Sequence, residues 1–457
     1  MENEGRSKLL GEMPMNKLVP KISVPIMISM LVQALYNVVD SIFVAKYNAD
    51  ALTAVSLAFP VQTLMIALSV GLGVGINSLI SRRLGEHNHE AALNGAWAGL
   101  MMQFVGFVLF ALFGVFFSRA FFTWFTPEEQ LIEMGQQYLS VVTIFSLGMF
   151  LSISFERMLQ STGNTMYSMI MQLTGAIVNI ILDPIMIFGL LGCPAMGISG
   201  AAIATVIGQF CGLGVGIACN QLKNKELRLT LREFRIHPRA VKDILAVGFP
   251  SMIMQSISSV LTVLMNMILI AYGNVAVSVL GVYFKLQSFV FMPVFGLNNG
   301  LVAIVGYNYG ARLRQRVYDA IRVALIYAVV IMAVGTVLFL TCPELLLSLF
   351  EAEGESAGEL TAIGVPALRT ISIHFVIAAV GITLSTVFQA IGKGFYSLLM
   401  SLMRQLIVLL PAAWILSSLG GLSAIWWSFP IAEIVSLTLC LILFRRVDRD
   451  ILKPLGD

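Results

Sequence analysis

Stretches of about twenty apolar residues recur along the chain, separated by short polar connections. They lie at roughly 22–45, 51–80, 91–117, 138–159, 166–190 and 198–219. A second set follows at 243–271, 276–306, 320–341, 360–388, 395–417 and 423–444. Each is long enough to cross a bilayer as a helix. The pattern predicts an all-α polytopic membrane protein with twelve transmembrane helices and both ends on one face. Residues 1–21 are polar with scattered basic side chains, and the first apolar run lacks a small-residue cleavage site. It is therefore expected to stay as a helix.

Two runs of six suggest two lobes: residues 1–220, a basic connection at 221–242, and residues 243–457. The halves repeat. A shift of 225 residues places Pro25 on Pro250, Gln62 on Gln287, Gly71 on Gly296, Gly75 on Gly300 and Gly85 on Gly310. Farther on, Gln160, Gly163, Tyr167 and Ser168 match Gln389, Gly392, Tyr396 and Ser397 at a shift of 229. Because six spans is an even number, both repeats start from the same side. A pseudo-two-fold axis along the membrane normal should relate the lobes, as in parallel-repeat transporters.

Charge orients the helices. The face bearing the termini collects 23 Lys and Arg and the opposite face 2, Lys46 and Arg119, with the remaining 3 of 28 inside spans. The positive-inside rule places the termini in the cytoplasm. Opposite them stand acids, Glu128, Glu129, Glu133 and the run from Glu351 to Glu359. Arg232, Arg235, His237 and Arg239 are interleaved with apolar residues, which suits a connection lying along the membrane surface. The same bias explains the basic residues without a nucleic-acid partner. Composition agrees: 58% hydrophobic, 12% charged, mean hydropathy +0.88, against about 25% charged in soluble domains. The five cysteines show no paired spacing.

Against that background, ionisable groups inside spans stand out, because each is expensive in lipid. Asp183 sits in Asn179-Ile-Ile-Leu-Asp-Pro184. Asn179 lies four residues before it on the same helical face, and Pro184 removes a backbone donor beside it. Asp40 falls at a similar depth on the first helix, with Tyr36 and Asn37 on its face. Thr205 reaches the same level from the opposite direction, with Gln209 one turn deeper. Asp40, Asn179, Asp183 and Thr205 offer oxygen ligands for Na⁺ or a site for H⁺. In the second half Lys285, Arg369, Arg404 and Glu433 lie eight to ten residues into their spans. They suit either an ion-pair network around Glu433 or contacts with substrate. His374 is expected to be a satisfied interior histidine. Glu156 reads as a boundary charge beside Arg157 or as a substrate contact. Gly71, Gly73 and Gly75, with Gly212, Gly214 and Gly216, form stripes for close helix approach.

Several of these segments resemble the MATE (multidrug and toxic compound extrusion) family. They are Pro25 with the Asp40 helix, Gly71–Gly75 running into Arg82-Arg83-Leu84-Gly85, Gln160-Ser-Thr-Gly-Asn164, Leu182-Asp-Pro184 and Gly197-Ile-Ser-Gly-Ala-Ala202. In the second half they are Gln389-Ala-Ile-Gly392 and Pro430-Ile-Ala-Glu433. The wording from Glu156 to Asn164 is similar to the MepA-type branch of bacterial members. The resemblance implies two six-helix lobes in the bacterial cytoplasmic membrane that export amphipathic organic cations against H⁺ or Na⁺ influx by alternating access. It places the cation site on Asp40, Asn179, Asp183 and Thr205, and requires no other cofactor. Some relatives also carry acids in the seventh and tenth helices; here those runs hold only the boundary residue Asp243, so no second cation site is expected. Lys285 and Arg369 argue against a purely cationic substrate. The candidate cavity residues are Tyr36, Asn37, Glu156, Gln209, Lys285 and Arg369, and the partners expected are small amphipathic molecules and lipid around a monomeric chain.

Two other classes compete with an exporter. A flippase for lipid-linked precursors needs a basic cavity, for which Lys285, Arg369 and Arg404 are candidates. A membrane-embedded enzyme is disfavoured by the repeat and by the lack of any nucleophile–base set.

Overall fold

A computed structural model describes residues 7–47, 49–230, 234–235, 237–350 and 357–456. Arg6, Arg232 and the acids Glu351, Glu353 and Glu355 lie outside the described residues. A short helix α1 (Lys8–Glu12) precedes the long helices α2 (Met15–Tyr47), α3 (Ala49–Gly85) and α4 (His89–Phe116). Then come α5 (Ser118–Phe125), α6 (Glu129–Ile144), α7 (Leu147–Ser161), α8 (Thr165–Phe188) and α9 (Ile198–Lys223). The second half runs α10 (Pro238–Leu269), α11 (Asn274–Gly310), α12 (Arg314–Thr341), α13 (Pro343–Ser348), α14 (Ala357–Ser372) and α15 (Phe375–Ala390). It closes with α16 (Gly394–Leu402), a π-helical segment Met403–Leu409, α17 (Leu410–Ile425) and α18 (Ser428–Val447).

Ten described helices are long and apolar enough to span a bilayer; two bent pairs, α6 with α7 (42°) and α14 with α15 (49°), complete twelve as broken spans. The fourth and tenth apolar runs were expected to be continuous. Polar residues at the breaks explain the difference. Ser146 closes α6 by donating its hydroxyl to the Thr143 carbonyl (2.7 Å), and His374 Nδ1 lies 2.5 Å from the Ile371 carbonyl.

The internal repeat is written into the backbone. His87 and Arg312, 225 residues apart, both adopt φ 56° in the turns after α3 and α11, a conformation rare outside glycine. Gly163 and Gly392, 229 apart, take φ 74° and 83° after α7 and α15. The seam between the halves is equally symmetric. A Cβ on Gly85 would lie 2.0 Å from the Tyr307 carbonyl oxygen, and one on Gly310 would lie 2.1 Å from the Arg82 carbonyl oxygen. Arg82 and Tyr307 are themselves 225 apart. Likewise Gly71 meets Met252 while Gly296 meets Met27, again one pair carried onto the other by the same shift. These glycines let α3 approach α10 and α11, and α11 approach α2, at contact distances.

Several described seam contacts lie toward the end of the bundle that carries residue 7 and residue 456. There Arg83 pairs with Asp243 (3.0 Å), and the Ser78 hydroxyl donates to the Gln389 carbonyl (2.6 Å). Helix α1 lies across the same end. Its Leu10 carbonyl accepts from Asn308 (2.9 Å) and Arg316 (3.0 Å), Met13 also accepts from Arg316 (2.8 Å), and the Ser7 N–H and hydroxyl donate to Glu226. The described part of the basic connection is tied to the first lobe. Asn220 and Gln221 of α9 donate to the carbonyls of Leu227 and Leu229, and Phe234 sets its ring edge-on to Trp97.

Candidate functional site

The two intramembrane acids meet. Asp40 comes from α2 and Asp183 from α8, and their carboxyl groups lie within hydrogen-bonding reach of each other. Asp183 is fully buried, and Asp40 Oδ1 is shielded from solvent with no protein donor. Asn179, one turn before Asp183, is buried and donates to its carboxylate (3.2–3.3 Å). With its amide oxygen toward Thr205, Asn179 also accepts from that residue's N–H (3.1 Å). Thr205 on α9 is held by donating to the Ala201 carbonyl (3.0 Å). The local sequence explains the placement: the i, i+4 spacing stacks Asn179 under Asp183, and Gly208 lets α9 approach the Asn179 turn closely.

Two residues that sequence reasoning passed over complete the cluster. Tyr138 of α6 is buried, accepts a hydrogen bond from Gln62 of α3 (2.8 Å), and lies within electrostatic reach of Asp40, Asp183 and Tyr36. The signal for Gln62 was its amide in an apolar run, repeated at Gln287. Tyr138 stood at the start of a span and carried no such mark. Tyr36 faces the acid pair, whereas Asn37 is exposed.

The remaining candidates disperse. Glu156 is buried near the end of α7 and accepts from Gln160 (2.7 Å), and Gln160 in turn accepts from the buried Arg157 (2.8 Å). The broken fourth span turns this face inward. Gln209 is half-buried, its carbonyl accepting from Ser152 (3.2 Å). Lys285 and Arg369 are exposed; Lys285 sits 5.8 Å from the centre of the Phe350 ring and Arg369 3.4 Å from Glu344. Each has a partner of its own, separate from that of Arg404. Arg404 pairs instead with Glu433 at 3.6 Å, and His374 is buried against its own turn, as expected.

The MatE family model matches residues 25–185 and 250–415, one block in each half. The chain belongs to the MatE family. Among the relatives of this MatE chain is the multidrug export protein MepA of Staphylococcus haemolyticus (strain JCSC1435), 26% identical over 420 residues, spanning 92% of this chain and 91% of that protein. A solved outward-facing conformation of a multidrug resistance MATE transporter of the MOP superfamily aligns with TM-score 0.91 at 28% identity, covering 99% of both chains. A MOP superfamily transporter from Pyrococcus furiosus Vc1, described as having a binding pocket of reverse polarity, also aligns with TM-score 0.91, at 27% identity over 100% of this chain and 99% of that one. The MatE fold of this chain is thus the two-lobed, twelve-span arrangement.

Proposed function

We propose that this MatE protein is a secondary exporter of amphipathic compounds in the bacterial cytoplasmic membrane. On this reading, an inward-moving proton at the Asp40–Asp183 pair drives alternating access. The observation that carries it is the contact between the two carboxyls, among neutral partners, inside the first lobe. Two bare carboxylates at that separation repel. At about 4 Å and an effective dielectric near 20, the repulsion is on the order of 4 kcal/mol. One shared proton turns repulsion into a hydrogen bond, and the buried Asp40 oxygen without a donor is where it would sit.

Protonation therefore draws α2 and α8 together, and deprotonation presses them apart. Since α2 also packs against α11 across the seam, that movement reaches the contact between lobes. A Na⁺ ion bridging the same oxygens is the competing reading of the coupling ion. The relatives' names support multidrug export as the cargo class. The role of the pair is tested with Asp183→Asn, which keeps shape but cannot be shared as an acid. Gradient-driven efflux should fall to background while the protein still reaches the membrane; undiminished efflux would remove Asp183 from the mechanism.

A further inference from the structure

The second lobe contains a cavity of about 260 Å³ that the coupling site does not use. Its walls carry Phe284, Phe291, Phe295 and Phe429 together with neutral polar side chains such as Gln287 and Gln405, and it also holds His374, Arg404 and Glu433. Glu433 is nearly solvent-free, its side chain 4% exposed, yet its Oε1 has no hydrogen-bond donor; Arg404 stands 3.6 Å away, near enough to neutralise it but not to bond. Arg404 is 28% exposed and is carried on the π-helical segment. Such segments interrupt a regular helix and often occur at functional sites.

The repeat shows that this arrangement was built rather than inherited from the fold. The 229-residue shift that carries Tyr167 and Ser168 onto Tyr396 and Ser397 carries Gly175 onto Arg404. In the first lobe Gly175 closes the space: a Cβ there would lie 3.1 Å from the Gly208 carbonyl oxygen of α9. In the second lobe the same position holds a guanidinium, and the space is open.

We propose that this cavity is a second ligand site, taking an aromatic amphiphile with a compact zwitterionic head, its ammonium on Glu433 and its acid group on Arg404. The charge balance selects that class. A cation alone must displace Arg404 from Glu433 and leave a guanidinium without a counter-charge; an anion alone strands a buried carboxylate. An unpaired charge in such a wall is strongly unfavourable. A ligand with adjacent opposite charges replaces one loose ion pair by two. The α-amino acid head, with ammonium and carboxylate flanking a single carbon, matches protein groups 3.6 Å apart. Its aromatic body lies among the phenylalanines, in keeping with the mainly apolar, few-polar-group character of ligand pockets.

The proposal deepens the exporter reading by naming a substrate class, but its test needs no gradient, so the two fail separately. The full chain in lipid nanodiscs is titrated with biphenylalanine, its methyl ester (cation only) and its N-acetyl derivative (anion only). Biphenylalanine should bind about tenfold more tightly than either. Arg404→Gln should move the preference to the ester, and Glu433→Gln to the N-acetyl acid, opposite shifts that a loss of packing would not produce. Asp183→Asn should leave the wild-type preference intact. Wild-type protein that binds the three alike or not at all overturns the proposal. So does a preference that survives both second-lobe substitutions, or one that disappears with Asp183→Asn.

Discussion

At the scale of single residues, the account turns on how Asp183 is held. Asn179 donates its side-chain amide to Asp183 and is also the link to Thr205. A hydrogen bond to a charged group contributes about 1.5–3 kcal/mol. Asn179→Leu should therefore slow gradient-driven efflux about tenfold or more, measured as initial rates at equal expression. Thr205→Val should do less, because the Thr205 backbone N–H still reaches the Asn179 oxygen. If the two substitutions act equally, the hydroxyl matters more than the amide relay allows. Tyr138 is the residue that sequence could not flag. It looked like an ordinary aromatic at the mouth of a span, and only the bend between α6 and α7 brings it against the acids. Asp40 and Asp183, by contrast, were legible because a carboxylate in an apolar run has few explanations.

At the scale of elements, the glycine seam makes a sharp prediction. Gly85 and Gly310 are equivalent, and each faces a backbone carbonyl that cannot rotate away. Gly85→Val or Gly310→Val should destabilise the closed seam by about 1–3 kcal/mol or more, with similar size at both. Hydrogen exchange at the ends of α3 and α11 would show the loosening, and protection unchanged in both variants would contradict a symmetric seam. The Arg83–Asp243 pair beside it is about a third exposed, so its removal should cost under about 1 kcal/mol.

Helix α1 adds a pH dependence at the same end. Burial lifts the Glu226 carboxyl above its usual range, and the Ser7 hydrogen bonds and His89 oppose this less strongly. A value raised on docking means the contribution is complete at pH below the undocked value and fades as pH climbs through the docked one. Exchange protection of residues 7–12 should accordingly weaken with rising pH. In Glu226→Gln that slope should flatten; a wild-type slope of the opposite sign would contradict the assignment.

At the scale of the whole molecule, the repeat was the most informative feature in the sequence, because identical spacing in two apolar halves has no local cause. It paired Gly71 with Gly296 and Gly85 with Gly310, and the structure adds what each meets across the seam. The broken spans were not legible, since apolar periodicity does not distinguish a straight helix from one bent at Ser146 or His374. Lys285 and Arg369 show the limit of depth as a guide. Distance along a span gives depth but not azimuth, and it did not reveal that Lys285 lies by Phe350 and Arg369 by Glu344. For the acid pair, helices starting from the same side set the level of the two carboxyls, and the packing of α2 on α8 supplies the facing that depth leaves open.

The most direct test reconstitutes the protein in vesicles loaded with a fluorescent amphiphile, then imposes a pH gradient or a Na⁺ gradient separately. The account predicts export driven by the pH gradient alone, abolished in Asp40→Asn as well as in Asp183→Asn. Export that follows the Na⁺ gradient instead, or that persists in both variants under a pH gradient, would contradict a proton shared by these two side chains.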